Sequence, residues 1–130
     1  PAVLAIVVGC SDADSQTEKD RENGNRALWN ERKLAYVAHL RSAPASVRLV
    51  SMCDKLHNAR CILADYRRIG ERIWERFNGG RDGTLWYYRA LIDAYREALT
   101  EEGQPADALV WSVLAEIERT VGAFEGLAAR

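Results

Sequence analysis

The chain has 130 residues, 48% of them hydrophobic, and its 18 basic and 19 acidic side chains leave a net charge of −1. That length and apolar content suit one domain with a real core and argue against disorder. A charge balance this near neutrality creates no overall field to draw nucleic acid or an anionic membrane, so any anion site must be local.

Ala2 to Val8 is the longest uninterrupted apolar run. It falls well short of the roughly 20 residues that span a bilayer, and it lacks the basic flank and cleavage site of a signal peptide. The expected location is cytoplasmic. With no polar face, the run reads as a short helix buried on all sides and ending near Gly9. Ser11 to Asn25 is polar and reads as a solvated loop. A second helix from about Ala27 to Arg41 turns Leu28, Leu34, Val37, Ala38 and Leu40 inward.

Ser42-Ala43-Pro44 gives a stop and a restart, with Ser42 or Ala43 as N-cap and Pro44 in the first turn of the next helix. Gly70 fits the C-terminal cap of that helix, after an Arg67-Arg68 pair that complements the helix dipole. Within it, Val50, Asp54, His57, Cys61 and Ala64 form one line at helical spacing. Leu49, Cys53, Leu56 and Leu63 lie beside that line, and the stripe is expected to face the core.

A short helix from Glu71 to Phe77 ends at Asn78-Gly79-Gly80, and Asp82 to Thr84 offers caps for a helix through about Thr100. Gly103 and Pro105 mark another break. The last helix, Ala106 to about Leu127, places Leu109, Val113, Ile117, Val121 and Phe124 on one stripe. Proline is scarce and strand-like alternation is absent. The expected fold is therefore all-α, a single domain over residues 1–130 built as a bundle of about five to six helices.

Cys10, Cys53 and Cys61 are an odd number without metal-knuckle spacing and read as reduced core cysteines. Asp54 is different. An unpaired carboxylate on an apolar stripe is costly, so it requires Arg48, Arg60, backbone amides or a metal ion as partner. Asp54, His57 and Asn58, at i, i+3 and i+4, can face one point in space. A carboxylate suits manganese or magnesium, and an imidazole extends the choice to zinc, iron or nickel. The plainer alternative is a buried, ion-paired Asp54 with a packed His57. Arg32, Lys33 and Lys55 can make charge-assisted bonds to phosphate oxygens, or can belong to a solvated helix face. Trp29, Trp74, Trp86 and Trp111 are expected in the core or at an interface rather than as base platforms.

Three segments together carry a resemblance. They are Asp54-Lys55-Leu56-His57-Asn58-Ala59-Arg60, the upstream Trp29-Asn30-Glu31-Arg32-Lys33-Leu34-Ala35-Tyr36-Val37-Ala38-His39-Leu40, and the downstream Trp74-Glu75-Arg76-Phe77-Asn78-Gly79-Gly80 with Gly83-Thr84-Leu85-Trp86-Tyr87-Tyr88. From about Val7 to Glu97 the chain resembles HD-domain phosphohydrolases, specifically proteins similar to the guanosine tetraphosphate (ppGpp) hydrolase domain of RelA/SpoT enzymes. That family binds a divalent metal, manganese or similar, through a histidine, a His-Asp dipeptide and a later aspartate. Asp54 matches the last of these, and no His-Asp dipeptide occurs in the chain.

The resemblance therefore implies the later part of an HD-like helical domain. It assigns Asp54 as metal ligand, and His57 is the candidate donor beside it. It assigns Asn58 as a nucleotide or phosphate contact, and Arg32 and Lys33, joined by Lys55, as pyrophosphate contacts. Tyr87 and Tyr88 fall at an aromatic position near the nucleotide. The catalytic Glu-Asp pair of alarmone hydrolases has no counterpart, so no catalytic residue is assigned and the metal is expected to be absent or weakly bound.

Three readings follow. The chain is a metal-dependent phosphohydrolase whose missing ligands come from another polypeptide or a rearranged Asp54/His57 site, a catalytically silent domain with affinity for a guanine nucleotide, or a self-association module. The expected combination is the second and third, with a homodimer formed through Ala2 to Val8 and no nucleic-acid or membrane partner. Pro1 suits a start from which an initiator methionine was removed, whereas in-frame His-Asp codons upstream would make the chain part of a whole enzyme. The last helix completes the bundle or extends the interface.

Overall fold

The computed structural model describes residues 26–101 and 108–129. The expectations for Ala2–Val8, Cys10, the Ser11–Asn25 loop and the Gly103–Pro105 break lie outside the described residues. The rest is all-α: helix α1 spans Arg26–Ser42, α2 Ala45–Ile69, α3 Gly80–Glu101 and α4 Ala108–Ala128, with a 3₁₀ segment at Gly70–Arg76 between α2 and α3. Five to six helices were expected, and four α-helices and the 3₁₀ segment account for the described residues. None of these helices is long and apolar enough to cross a membrane.

The boundaries follow local chemistry. Pro44 itself, with φ −55° and ψ 150°, caps α2, so neither Ser42 nor Ala43 does and Pro44 stands just before the first turn. Pro44 O accepts the Arg48 N–H, and the Arg48 guanidinium donates to Ala43 O at 2.8 Å. One arginine thus ties the turn from both ends. Gly70 does end α2 as expected, at φ 69°, which costs a glycine little because it has no Cβ, and its N–H bonds Tyr66 O. Helix α3 begins at Gly80, earlier than the Asp82–Thr84 caps suggest.

Helix α2 packs along α4 and α1 along α3, while α3 also meets α4 and the 3₁₀ segment touches α2 and α3. Leu114, Ile117, Val121, Phe124 and Ala128 recur every three or four residues and bury one face of α4. Leu109 and Val113 extend the expected stripe poorly: Leu109 is 63% exposed and Val113 only partly buried. Phe124 sits edge-on between Trp74 and Tyr88, with centroids 6.3 Å and 5.7 Å away. In α1, Val37 and Leu40 are buried as expected, but Leu34 and Ala38 are exposed. Trp29 and Trp74 are core residues, whereas Trp86 and Trp111 are exposed.

Helix α2 overturns the expected facing. Its buried residues are Val47, Arg48, Ser51, Met52, Lys55, Ala59 and Ile62. Val50, Asp54, His57, Cys61 and Ala64, the line read as core-facing, are all exposed, as is Cys53. Cys53 and Cys61 are free thiols, but neither is the core residue expected. The physical reason lies on other helices, which supply partners for the buried polar groups. Ser51 Oγ bridges Tyr36 Oη at 2.8 Å and Tyr95 Oη at 2.7 Å. Burial holds the Tyr95 phenol well above its usual range, so it stays protonated and serves this chain of hydroxyls.

Exposed ion pairs then link the helices: Arg41 with Glu97 at 2.9 Å, Arg60 with Glu116 at 3.6 Å, and Arg89 and Arg96 with Glu125 and Glu118. Each such surface pair contributes about 0–1 kcal/mol, so they orient the helices more than they hold them. Arg81 donates to Ala128 O at 2.8 Å, tying the start of α3 to the C-terminal end of α4.

Candidate functional site

Helices α1 and α2 do not pack closely along their lengths. Between them, floored by α3 and closed by the 3₁₀ segment, lies a cleft of about 420 Å³. Lys33 comes from α1, Lys55, Asn58, Cys61 and Asp65 from α2, Arg76 from the 3₁₀ segment, and Thr84, Tyr87 and Tyr88 from α3. Trp29 and Phe77 supply apolar wall.

Two buried ammonium groups define the chemistry. Lys33 Nζ lies 4.6 Å from the centroid of the Tyr87 ring and 5.9 Å from that of Trp29. Lys55 Nζ lies 5.3 Å from the Tyr36 centroid and 5.9 Å from that of Tyr87. Lys33 is 8% exposed and Lys55 3%, so a charge on either group acts where water screens little. Cation–π contact offsets part of the desolvation, by about 0.5–2 kcal/mol per pair. Tyr87 is itself buried, edge-on to Trp29 and Tyr88 with centroids 6.3 Å and 5.8 Å away. It acts as the shared aromatic face on which both cations are positioned.

On another wall Arg76 donates to Asp65 at 2.8 Å. That hydrogen bond holds the Asp65 carboxyl below its usual range. Thr84 Oγ1, buried beside the cleft, has no hydrogen-bond partner among the described residues. A buried hydroxyl left unsatisfied costs about 1–3 kcal/mol.

Of the residues singled out from sequence, Lys33, Lys55, Asn58, Tyr87 and Tyr88 line this one cleft, while Arg32, Asp54 and His57 do not. Asp54 is exposed and requires no buried partner. Its carboxylate meets Lys55 Nζ at 3.5 Å and accepts from Asn58 Nδ2 at 3.4 Å, whereas Arg48 and Arg60 engage Ala43 and Glu116. The His57 imidazole is turned toward Cys61. Among the described residues no group of three or more His, Cys, Asp and Glu could hold a metal ion. One carboxylate already bonded to a lysine and an amide does not fit the hard divalent ion that the resemblance implies.

Thr84, Cys61, Asp65 and Arg76 escaped sequence reasoning. Thr84 carries the signal of a helix cap, and the Asp65–Arg76 pair closes only when the chain turns at Gly70. Comparison with protein-family models, with characterised proteins and with solved structures gave no match.

Proposed function

We propose that this chain is the later part of an HD-type helical domain related to metal-dependent pyrophosphohydrolases of guanosine tetraphosphate. On its own it holds a phosphate-bearing guanine nucleotide without hydrolysing it, and it self-associates. The observation that carries the reading is the pair of buried ammonium groups, Lys33 and Lys55, set over Tyr87 in a cleft that also exposes Asn58. Two ammonium groups in a poorly screened cleft, one of them met by the Asp54 carboxylate at its edge, favour an anion such as a pyrophosphate. The apolar wall of Trp29 and Phe77 gives the flat part of a nucleotide a surface to rest on. Asn58 adds a neutral polar contact that orients a ligand. A divalent metal enters this reading only where further ligands come from another polypeptide, because Asp54 is committed to Lys55 and Asn58.

Calorimetric titration with GDP and with guanosine tetraphosphate tests the reading. Binding is expected, and Lys33→Met and Lys55→Met should each weaken it about ten- to a hundredfold, since a hydrogen bond to a charged group is worth about 1.5–3 kcal/mol. Methionine keeps the length of the buried stem, so the fold should survive. Absence of binding by the wild type would overturn the nucleotide reading. Hydrolysis by the wild type with added manganese, lost in Asp54→Ala, would replace the silent domain with an active phosphohydrolase.

A further inference from the structure

We propose that Asp54 is a built-in counter-anion of the cleft: its carboxylate occupies contacts on Lys55 and Asn58 that a ligand phosphate takes over, and it thereby limits the affinity of the site for phosphate-bearing anions. The inference rests on the anion-binding reading of the cleft. Lys55 and Asn58 line the cleft and Asp54 does not. A single oxygen, Asp54 Oδ2, lies 3.5 Å from Lys55 Nζ and accepts from Asn58 Nδ2 at 3.4 Å. Neighbours on a helix point roughly 100° apart and do not ordinarily face each other. The carboxylate therefore reaches Lys55 around the edge of the cleft, from the solvent side. An ammonium and an amide N–H that converge on one anionic oxygen are also the donors that a phosphate oxygen takes.

Burial makes the exchange one-sided. The Lys55 side chain is 3% exposed and the Asp54 side chain 50%. A displaced Asp54 carboxylate turns into water and recovers its hydration, whereas a buried ammonium keeps its demand for a counter-charge. Both present contacts are longer than the roughly 2.7–2.9 Å of a good charge-assisted bond, so little is lost when a phosphate oxygen replaces them. No covalent bond changes in the exchange. An anion seated on Lys55 stays within the roughly 10 Å Debye length at 0.1 M salt of a carboxylate 3.5 Å from that ammonium, so the two repel. This role differs from metal ligation, in which removal of the carboxylate would weaken phosphate binding rather than strengthen it.

Calorimetric titration of the full chain, treated with chelator and dialysed, with inorganic pyrophosphate tests the inference. Asp54→Asn removes the charge and keeps the shape, and it should bind about three- to tenfold more tightly than wild type. Asp54→Glu keeps the charge and should stay within about twofold of wild type. Asp93→Asn removes one charge from an exposed α3 residue outside the cleft lining and should also match wild type. Binding detected in Asp54→Asn but not in wild type would support the counter-anion and refute nucleotide binding by the unaltered chain. An Asp54→Asn affinity equal to or below that of a binding wild type would overturn the counter-anion and leave the anion reading standing. Equal tightening in Asp54→Glu or Asp93→Asn would overturn it as well, by tracing the gain to shape or to net charge. No binding by either wild type or Asp54→Asn would remove the anion reading and this inference with it. Because the Asp54 side chain is half-exposed, circular dichroism of the variants should match wild type, and an Asp54→Asn that fails this check is replaced by Asp54→Ser, which lets water reach Lys55.

Discussion

Gly79 lacks a side chain because the Trp29 ring occupies the space that one would need. A Cβ added there would lie 2.7 Å from Trp29 Cζ2 and Cζ3, and one at Gly83 would lie 3.2 Å from Cζ3. Two glycines four residues apart thus form a slot for the indole that walls the cleft. Trp29 is 8% exposed and packed against Tyr87, so it has little room to withdraw. Gly79→Ala should therefore destabilise the protein by about 1–3 kcal/mol, the usual cost of overpacking, and Gly83→Ala by less. Urea denaturation compares the three proteins, and an unchanged midpoint for Gly79→Ala would show that the Trp29 ring moves without cost. The same ring links local chain chemistry to the site, because its position sets the width of the cleft.

At the level of elements, the 3₁₀ segment folds back on α2 through side chains from two successive α2 positions. Asp65 receives Arg76 from the far end of the segment at 2.8 Å and Arg68 of its own helix at 3.4 Å. Tyr66 donates to Glu71, a bond that raises the phenol above its usual range. The folded Asp65 carboxyl, held low first by the Arg76 hydrogen bond, has a lower pKa than in the unfolded chain. Its stabilising contribution is therefore complete above the ordinary carboxylate range near about pH 4 and disappears as pH falls through the lowered folded value. Asp65→Asn should unfold at lower urea than wild type at neutral pH, and the gap should close in acid. Denaturation midpoints measured from about pH 6 down to about pH 2 test this, and a gap independent of pH would refute the latch.

At the scale of the whole molecule, the large apolar side chains left exposed among the described residues are Leu34 on α1, Val50 on α2, Trp86 on α3, and Leu109 and Trp111 on α4. Single exposed apolar side chains are ordinary for a folded surface. Self-association is proposed through Ala2–Val8, the seven-residue apolar run that lies outside the described residues. Light scattering at micromolar concentration should give the mass of two chains, and replacement of Leu4 and Ile6 by Ser should halve it. A strictly monomeric wild type would remove the dimer from the proposal.

The sequence by itself determined the helices and their punctuation. The periods of three and four, the Pro44 restart, Gly70 and the glycines after Asn78 are local chemistry, and the helices they imply agree with α1 to α4 to within a few residues. Local chemistry did not decide which face of α2 is buried. Apolar residues lie on both sides of that helix, and the line through Val50, Asp54, His57, Cys61 and Ala64 was no less apolar than the line through Arg48, Ser51, Met52, Lys55 and Ala59. Burial of an arginine, a serine and a lysine is favourable only where remote elements bring partners: Tyr36 and Tyr95 for Ser51, the Ala43 carbonyl for Arg48, and the rings of Tyr36 and Tyr87 for Lys55. Those partners lie 5 to 44 residues away along the chain where hydrogen bonds make the link. The free energy of a buried polar group depends on such neighbours rather than on its own hydropathy, and so the tertiary structure alone decided that Lys55 faces the cleft while Asp54 faces water.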